Sequence, residues 1–417
     1  MRFPHLAAPH SKLFFLLVAA VFGISCDAYS SVKLGSDTMV ALGYPGLKGK
    51  RVGLVTNPSG VNAQGVTTID LLRRAPGVRL VSMFGPEHGV YGDIKAGDYV
   101  PTRKDFRTGL MVHSLYGTTR KPTPGMLKDL DVIVYDLQDV GARSYTFIST
   151  LGLLMQAAEE NGKEVVILDR PNPLGGNRIE GGGVDPALRS FVGQYDIPYV
   201  YGLTVGEMAY WINDNYLERP CRLTVFRLGD WNRNMSWGDT GLRWVPTSPN
   251  IPAWESAAGY VATGLLGDIG ITNGANVHPK PFLVVAGERI NEQALAASLN
   301  QLGLRGIGIR PTVFYPSSGK FTKVAFRGVE LTLDPRSPES FLKLNFQVLD
   351  ALRAIQPQKN YFVSAPKNSL LMFDKINGGP RNRNAWLSGK NADAIARTWK
   401  AKEDSWRQER QKYLLYP

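Results

Sequence analysis

A chain of 417 residues that is 43% hydrophobic can bury a sizeable core spread over two or three domains, which excludes a disordered or fibrous protein. Its formal net charge of +12 favours anionic surroundings. The 48 Lys and Arg residues are nevertheless scattered, with no run that reads as a nucleic-acid-binding tail, so a solvated basic surface and no nucleic-acid partner are expected.

Arg2 and Lys12 precede an apolar stretch, 13–24, that is followed by Ser25-Cys26-Asp27-Ala28. It is as long as a signal-peptide core and shorter than the ~20 residues of a comfortable membrane span. Residues 1–28 therefore read as an export signal addressed to a periplasm or cell envelope. Two ends to that signal stay open: lipid attachment at Cys26, which would anchor the protein to a membrane, or cleavage near Ala28. In either case Cys221 is left as a lone thiol, read as a small buried residue, and the fold must rest on its core rather than on disulfides.

From 32 to 245, strand and helix patterns alternate as in a parallel sheet covered by helices. Four apolar runs end on polar residues: RVGLVT (51–56) at Asn57, VRLVSMF (78–84) at Gly85-Pro86-Glu87-His88, DVIVYDL (131–137) at Gln138-Asp139, and EVVILD (164–169) at Arg170-Pro171-Asn172. If these are parallel strands, their tips share the edge where open α/β sheets bind ligands. Apolar residues at helical spacing predict helices over 145–161 and 204–217. The Gly- and Pro-rich stretches 85–125 and 171–203 lack regular pattern and are read as walls of a crevice. From 246 to 417 the texture is α+β: PTSPNIP and a Gly-rich segment (259–276), then strand-like PFLVVAG, GIGIRPTVF and KVAFRGVELTL, then helical patterns over 338–355 and 391–410. This is read as a smaller second domain, and the groove between the two parts is a second reason to expect a site at the sheet edge.

The chemistry narrows by elimination. No G-x-G-x-x-G joins a strand to a helix, no phosphate-binding loop with G-K-[ST] is present, and G-x-S-x-G and H-E-x-x-H are missing, so neither a cofactor nor a metal is expected. Carboxylates remain, and they suit glycoside hydrolysis, in which one carboxyl group protonates the leaving oxygen and a second group supplies base or nucleophile. Glu87, two residues past a strand tip and beside His88, is the first candidate. Asp136 and Asp139 follow, although Asp139 also fits as a helix cap paired with Arg143 four residues on. Glu207 lies in Thr204-Val205-Gly206-Glu207, a capping-box pattern, so a structural role competes with substrate binding. Tyr145 offers a hydroxyl or a core ring, and Asp169 either orients Arg170 and Asn172 or ties down their loop. Arg143 and Arg170 are the available forks for a substrate carboxylate.

FGPEHG (84–89), SLYG (114–117), KPTPGML (121–127), YDLQDVGARSYTFIST (135–150), LDRPNPLGG (168–176), SFVG (190–193) and SPNIP (248–252) together resemble the NamZ-type exo-β-N-acetylmuramidases, over nearly the whole chain from about 34 to the terminal YLLYP. The resemblance implies a Rossmann-like parallel-sheet domain without nucleotide, a smaller C-terminal α+β domain, and removal of N-acetylmuramic acid from the non-reducing end of peptidoglycan fragments. It matches Glu87 to the family's PEHG glutamate, the strongest catalytic candidate, Asp136, Gln138, Asp139, Arg143 and Tyr145 to a second signature, and Asn172, Glu207 and Asn250 to further polar positions. With Glu87, Asp136, Asp139 and Tyr145 as catalytic candidates, the expected substrate-binding set is Asn57, His88, Gln138, Arg143, Arg170, Asn172, Glu207 and Asn250. Where the family carries EGTN, GRGT and PFE, this chain reads Leu266-Gly267-Asp268-Ile269-Gly270, Asn273-Gly274-Ala275-Asn276 and Pro281-Phe282-Leu283. That departure keeps two alternatives open: a related glycosidase with altered amino-sugar specificity, and a non-catalytic cell-wall saccharide-binding protein.

Overall fold

The computed structural model describes residues 32–95 and 97–417, so residues 1–28, read as an export signal, with Cys26 and Ala28, lie outside the described residues. The four apolar runs become strands β1 (Arg51–Thr56), β2 (Arg79–Gly85), β5 (Val132–Asp136) and β6 (Glu164–Leu168), joined by the short β3 (Arg103–Lys104) and β4 (Met111–Ser114) and by β7 (Arg222–Phe226). They form one seven-stranded sheet in the order β3-β4-β2-β1-β5-β6-β7. Every pairing is parallel except that of the edge strand β3 with β4.

Such strands are nearly all apolar because helices cover both faces of the sheet. Val52, Leu54, Val132, Val134, Val166 and Leu168 pack with Met39, Ile69 and Leu72 from helices Gly35–Ala41 and Thr68–Arg74. The alternate residues Ile133, Tyr135, Val165 and Ile167 pack with helices Phe147–Glu160 and Val205–Asn215. Strand order runs outward from β1 to β2 and β4, then returns to β5, β6 and β7 on the other side. The direction of winding thus reverses between β1 and β5, the position at which such sheets open a crevice.

The remainder builds a smaller antiparallel sheet, β8 (Val284–Gly287), β9 (Ile307–Phe314) and β10 (Phe326–Leu333), in the order β8-β10-β9. Helices Glu255–Thr263, Glu292–Asn300 and Phe341–Ile355 pack with it, and a single hydrophobic core runs from the large sheet through this region to the C-terminal helices. Three expectations change in detail. The stretch 85–125 holds β3, β4 and the one-turn helix Pro124–Leu127, all too short to impose a periodic pattern. The helical pattern over 391–410 is two helices, Ala392–Arg397 and Lys400–Glu409, with buried Trp399 at the break. The Gly-rich segment begins inside helix Glu255–Thr263, where Gly259 admits the Phe282 carbonyl so closely that a Cβ would lie 2.6 Å from it.

Candidate active site

Past the tip of β2 the chain turns sharply, with the Gly89 N–H on the Pro86 carbonyl and His88 in the left-handed region at φ 71°. A non-glycine residue holds such a conformation only when its surroundings fix it, and strain of this kind gathers at functional sites. Here the imidazole Nδ1 lies 2.8 Å from the Ile94 carbonyl; facing an acceptor, it must carry the proton and donate. The turn sets Glu87 on the wall of a cavity of about 340 Å³, within the ~300–1,000 Å³ typical of small-molecule sites.

Glu87 is held by two hydrogen bonds and is only partly buried. The Thr146 hydroxyl donates to Oε2 at 3.0 Å and the Gly97 N–H donates to Oε1 at 3.3 Å. Tyr116 lines the same cavity, and burial, followed by the nearby Glu87 charge, pushes its phenol well above its ordinary range. Tyr145 also lines the cavity, its ring edge-on to Phe147 and Tyr260 at 4.7 and 5.8 Å between centroids. Its phenol is pushed up by burial, with the Ser248 and Thr247 hydroxyls working against that shift. Asn250 reaches the same cavity and exchanges hydrogen bonds with Asn276: its Nδ2 donates to Asn276 Oδ1 at 3.0 Å and its Oδ1 accepts from the Asn276 N–H at 2.9 Å. The structure thus brings together Glu87, His88, Tyr145 and Asn250, with walls drawn from both parts of the chain.

The crevice between β1 and β5 is filled differently. Asn57 Nδ2 donates to the Thr247 carbonyl at 2.8 Å, and Thr247 Oγ1 donates to the Gln138 carbonyl at 2.5 Å. The segment following Pro246 is thereby tied across both strand tips. Asn57 also accepts from Ser59, and Gln138 Nε2 donates to the carbonyls of Asp139 and Pro171. Both residues, read from the sequence as substrate contacts, fasten the loop that carries Ser248 and Asn250 to the Glu87 cavity. Gln138 additionally lines a second hollow, walled by Trp237 and Trp244.

The remaining candidates are engaged by the framework and are not gathered at the Glu87 cavity. Asp136 is fully buried, 2.5 Å from Arg170 Nε, and also accepts from Thr68. The other arm of Arg170 donates to the Val61 carbonyl, so this fork is occupied. Arg143 is likewise fully buried: it donates to the Gly182, Ile197 and Ile376 carbonyls at 2.8, 2.5 and 3.1 Å, and burial lowers its pKa to about 10, which leaves it charged. Asp139 does not pair with Arg143; it accepts from the Tyr201 hydroxyl and the Gly141 N–H, and burial raises its pKa to about 6. Gly141, at φ 80°, faces Asn172 so closely that a Cβ would sit 2.4 Å from Oδ1. Asn172 is spent on the Leu203 carbonyl and the Leu174 N–H. The capping box at Glu207 is real: Oε2 accepts from the Thr204 N–H, while Oε1 takes Arg233 and the Leu415 N–H. Among the described residues no cluster of His, Cys, Asp and Glu is arranged to hold a metal ion.

Several cavity residues escaped sequence reasoning. Tyr116, Thr146 and Phe191 lie inside the quoted motifs but carry no spacing signal of their own. Arg120, Tyr260 and Lys375 reach the cavity from a loop and from helix faces that only the tertiary fold brings together.

Comparison with known proteins agrees with this architecture. The family models for the N-terminal and C-terminal domains of exo-β-N-acetylmuramidase NamZ match residues 52–255 and 258–416. The peptidoglycan β-N-acetylmuramidase NamZ of Bacillus subtilis is 39% identical over 385 residues, covering 92% of this chain and 91% of the relative. Two crystal structures of DUF1343 family proteins from Bacteroides fragilis superpose with TM-scores of 0.87 and 0.73 at 41% and 26% identity. Each covers 93% of this chain and 99% of its own.

Proposed function

Because the chain belongs to the NamZ exo-β-N-acetylmuramidase family, we propose that it is an exported glycoside hydrolase that releases N-acetylmuramic acid from the non-reducing end of peptidoglycan fragments, with Glu87 as its acid–base group. The observation that carries this reading is that Glu87 is the one carboxylate among the described residues lining its cavity, oriented by Thr146 and the Gly97 N–H. Departure of the aglycone needs a proton on the glycosidic oxygen, and a positioned carboxylic acid supplies it. Two-carboxylate hydrolysis requires a second acid across the sugar. Asp136, Asp139 and Glu207 are fixed in the framework and line none of this cavity, so attack at the anomeric carbon falls to a group other than a side-chain carboxylate. The basic N-terminus and apolar stretch 13–24 support export, and no described helix is long and apolar enough to cross a membrane.

Glu87→Gln keeps the shape and the acceptor oxygen but cannot exchange the proton. Turnover of an aryl β-N-acetylmuramide should fall by roughly 10²–10⁴-fold with an unchanged melting temperature; an unimpaired variant would refute the assignment. A second reading, altered amino-sugar specificity, is favoured by Phe282, which comes from the segment that departs from the family and lines the cavity. Assay of wild-type protein across several aryl glycosides separates the two, and binding without turnover on any of them would identify a saccharide-binding protein.

A further inference from the structure

Neither Arg143 nor Arg170 lines the Glu87 cavity, yet that cavity is not without positive charge. Arg120, on the loop that follows β4, and Lys375, near the C-terminal end of helix Lys367–Asn377, both line it. Among the described residues neither makes an ion pair, in contrast to Arg51, Arg170, Arg178 and Arg233, each within 2.9 Å of a carboxylate oxygen. Two cations that share a cavity wall with a single carboxylate and pair with none leave it a net positive charge, which is complementary to an anionic ligand.

The Arg120 side chain and the Lys375 backbone are held in place. The Arg120 guanidinium carbon lies 4.5 Å from the centroid of the Phe191 ring, a cation–π contact that orients the planar fork while leaving its N–H groups available. The position of Lys375 is fixed through its neighbour, because the Ile376 carbonyl accepts from Arg143 and the Gly378 carbonyl accepts from the Asp185 N–H. Gly193, in the same loop as Phe191, approaches the Lys375 carbonyl so closely that a Cβ would lie 3.1 Å from it. Arg143 thus acts as a positioning residue, by anchoring the helix end that carries Lys375.

We propose that Arg120 and Lys375 form the subsite that recognises the carboxylate of the substrate's 3-O-lactyl group, and that they set the preference for muramic acid over glucosamine. The inference rests on the proposed hydrolase reading and names the part of its site that reads substrate charge. N-acetylmuramic acid differs from N-acetylglucosamine by this one acidic ether, so a glycosidase that distinguishes them needs a cationic contact that the second sugar cannot use. A carboxylate beside Glu87 would otherwise meet like charge, and two cations offset that repulsion.

The test compares kcat/KM for an aryl β-N-acetylmuramide with that for its lactyl methyl ester, in wild type and in the variants Arg120→Gln and Lys375→Gln. Wild type should prefer the free acid, and each variant should lower the acid-to-ester ratio about tenfold, chiefly through KM. Equal losses on both substrates, or no change in the ratio, would overturn the proposal. Calorimetry with Glu87→Gln protein keeps this outcome separate from failure of the hydrolase reading. If wild type cleaves no muramic acid glycoside, that reading fails, whereas the subsite is still decided by whether N-acetylmuramic acid binds at least tenfold more tightly than N-acetylglucosamine and loses that margin when Arg120→Gln is added.

Discussion

Glu87 and Asp136 both stand at strand tips on one sheet edge, and the difference between them is the partner each meets. Glu87 finds only hydrogen-bond donors and stays partly exposed, whereas Asp136 meets the Arg170 guanidinium in a fully buried pair. Spacing along the chain is blind to that distinction, because Arg170 reaches Asp136 across two adjacent strands. For the same reason the sequence reads Arg143 as a substrate fork, whereas in the fold it donates to three backbone carbonyls. Removing one partner of a buried pair leaves an uncompensated charge, so Asp136→Ala should cost ~3–5 kcal/mol in urea unfolding; a loss below ~1 kcal/mol would contradict a structural role. Asp139 gives a pH signature. Its folded pKa of about 6 lies above the ordinary carboxylate value of 3.8. The native state therefore holds the proton more tightly, and stability falls as pH rises through about 4 to 6. The contribution is up to ~3 kcal/mol. Asp139→Asn cannot ionise, and its amide oxygen still accepts from Tyr201 and Gly141. The variant should gain stability relative to wild type as pH rises across that window, and parallel curves for the two proteins would sink the account.

At the scale of elements, the strands that line the sheet interior were legible because burial on both faces leaves them apolar from end to end. The capping box was legible because its two residues sit three apart. Arrangements made between elements were not. The segment closing the crevice between β1 and β5 depends on Asn57, Gln138 and Thr247, whose separations in sequence carry no periodic signal. Thr247→Val preserves shape and removes the donor to the Gln138 carbonyl, which is buried. That loss should cost ~1–3 kcal/mol of stability and raise KM, since the same loop presents Ser248 and Asn250 to the cavity. An unchanged urea midpoint and KM would show that the loop is held by other means.

For the whole molecule, the C-terminus closes the structure by returning to the carboxyl end of β6. The Tyr416 hydroxyl donates to Asp169 at 2.5 Å and accepts from the Leu228 N–H at 3.0 Å, and its ring packs on Trp231. Asp169, read from the sequence as either orienting Arg170 and Asn172 or tying down their loop, accepts from the Arg170 N–H and also receives the Thr204 hydroxyl and the Gly206 N–H, so it joins that loop to the start of helix Val205–Asn215. Deleting 414–417 should therefore lower the melting temperature of the entire chain by several degrees, in line with the loss of ~2–4 kcal/mol for a buried, hydrogen-bonded aromatic residue. An unaltered melt would mean that the tail is an accessory. The cavity itself is a whole-molecule product, because Glu87 and Tyr116 come from the large sheet while Tyr260, Phe282 and Lys375 come from the second part. The most direct measurement is a crystal structure of the Glu87→Gln protein with the disaccharide of N-acetylmuramic acid and N-acetylglucosamine. The glycosidic oxygen is expected within hydrogen-bond reach of residue 87, with the lactyl group toward Arg120 and Lys375; a sugar seated instead in the hollow beside Trp237 and Trp244 would contradict the account.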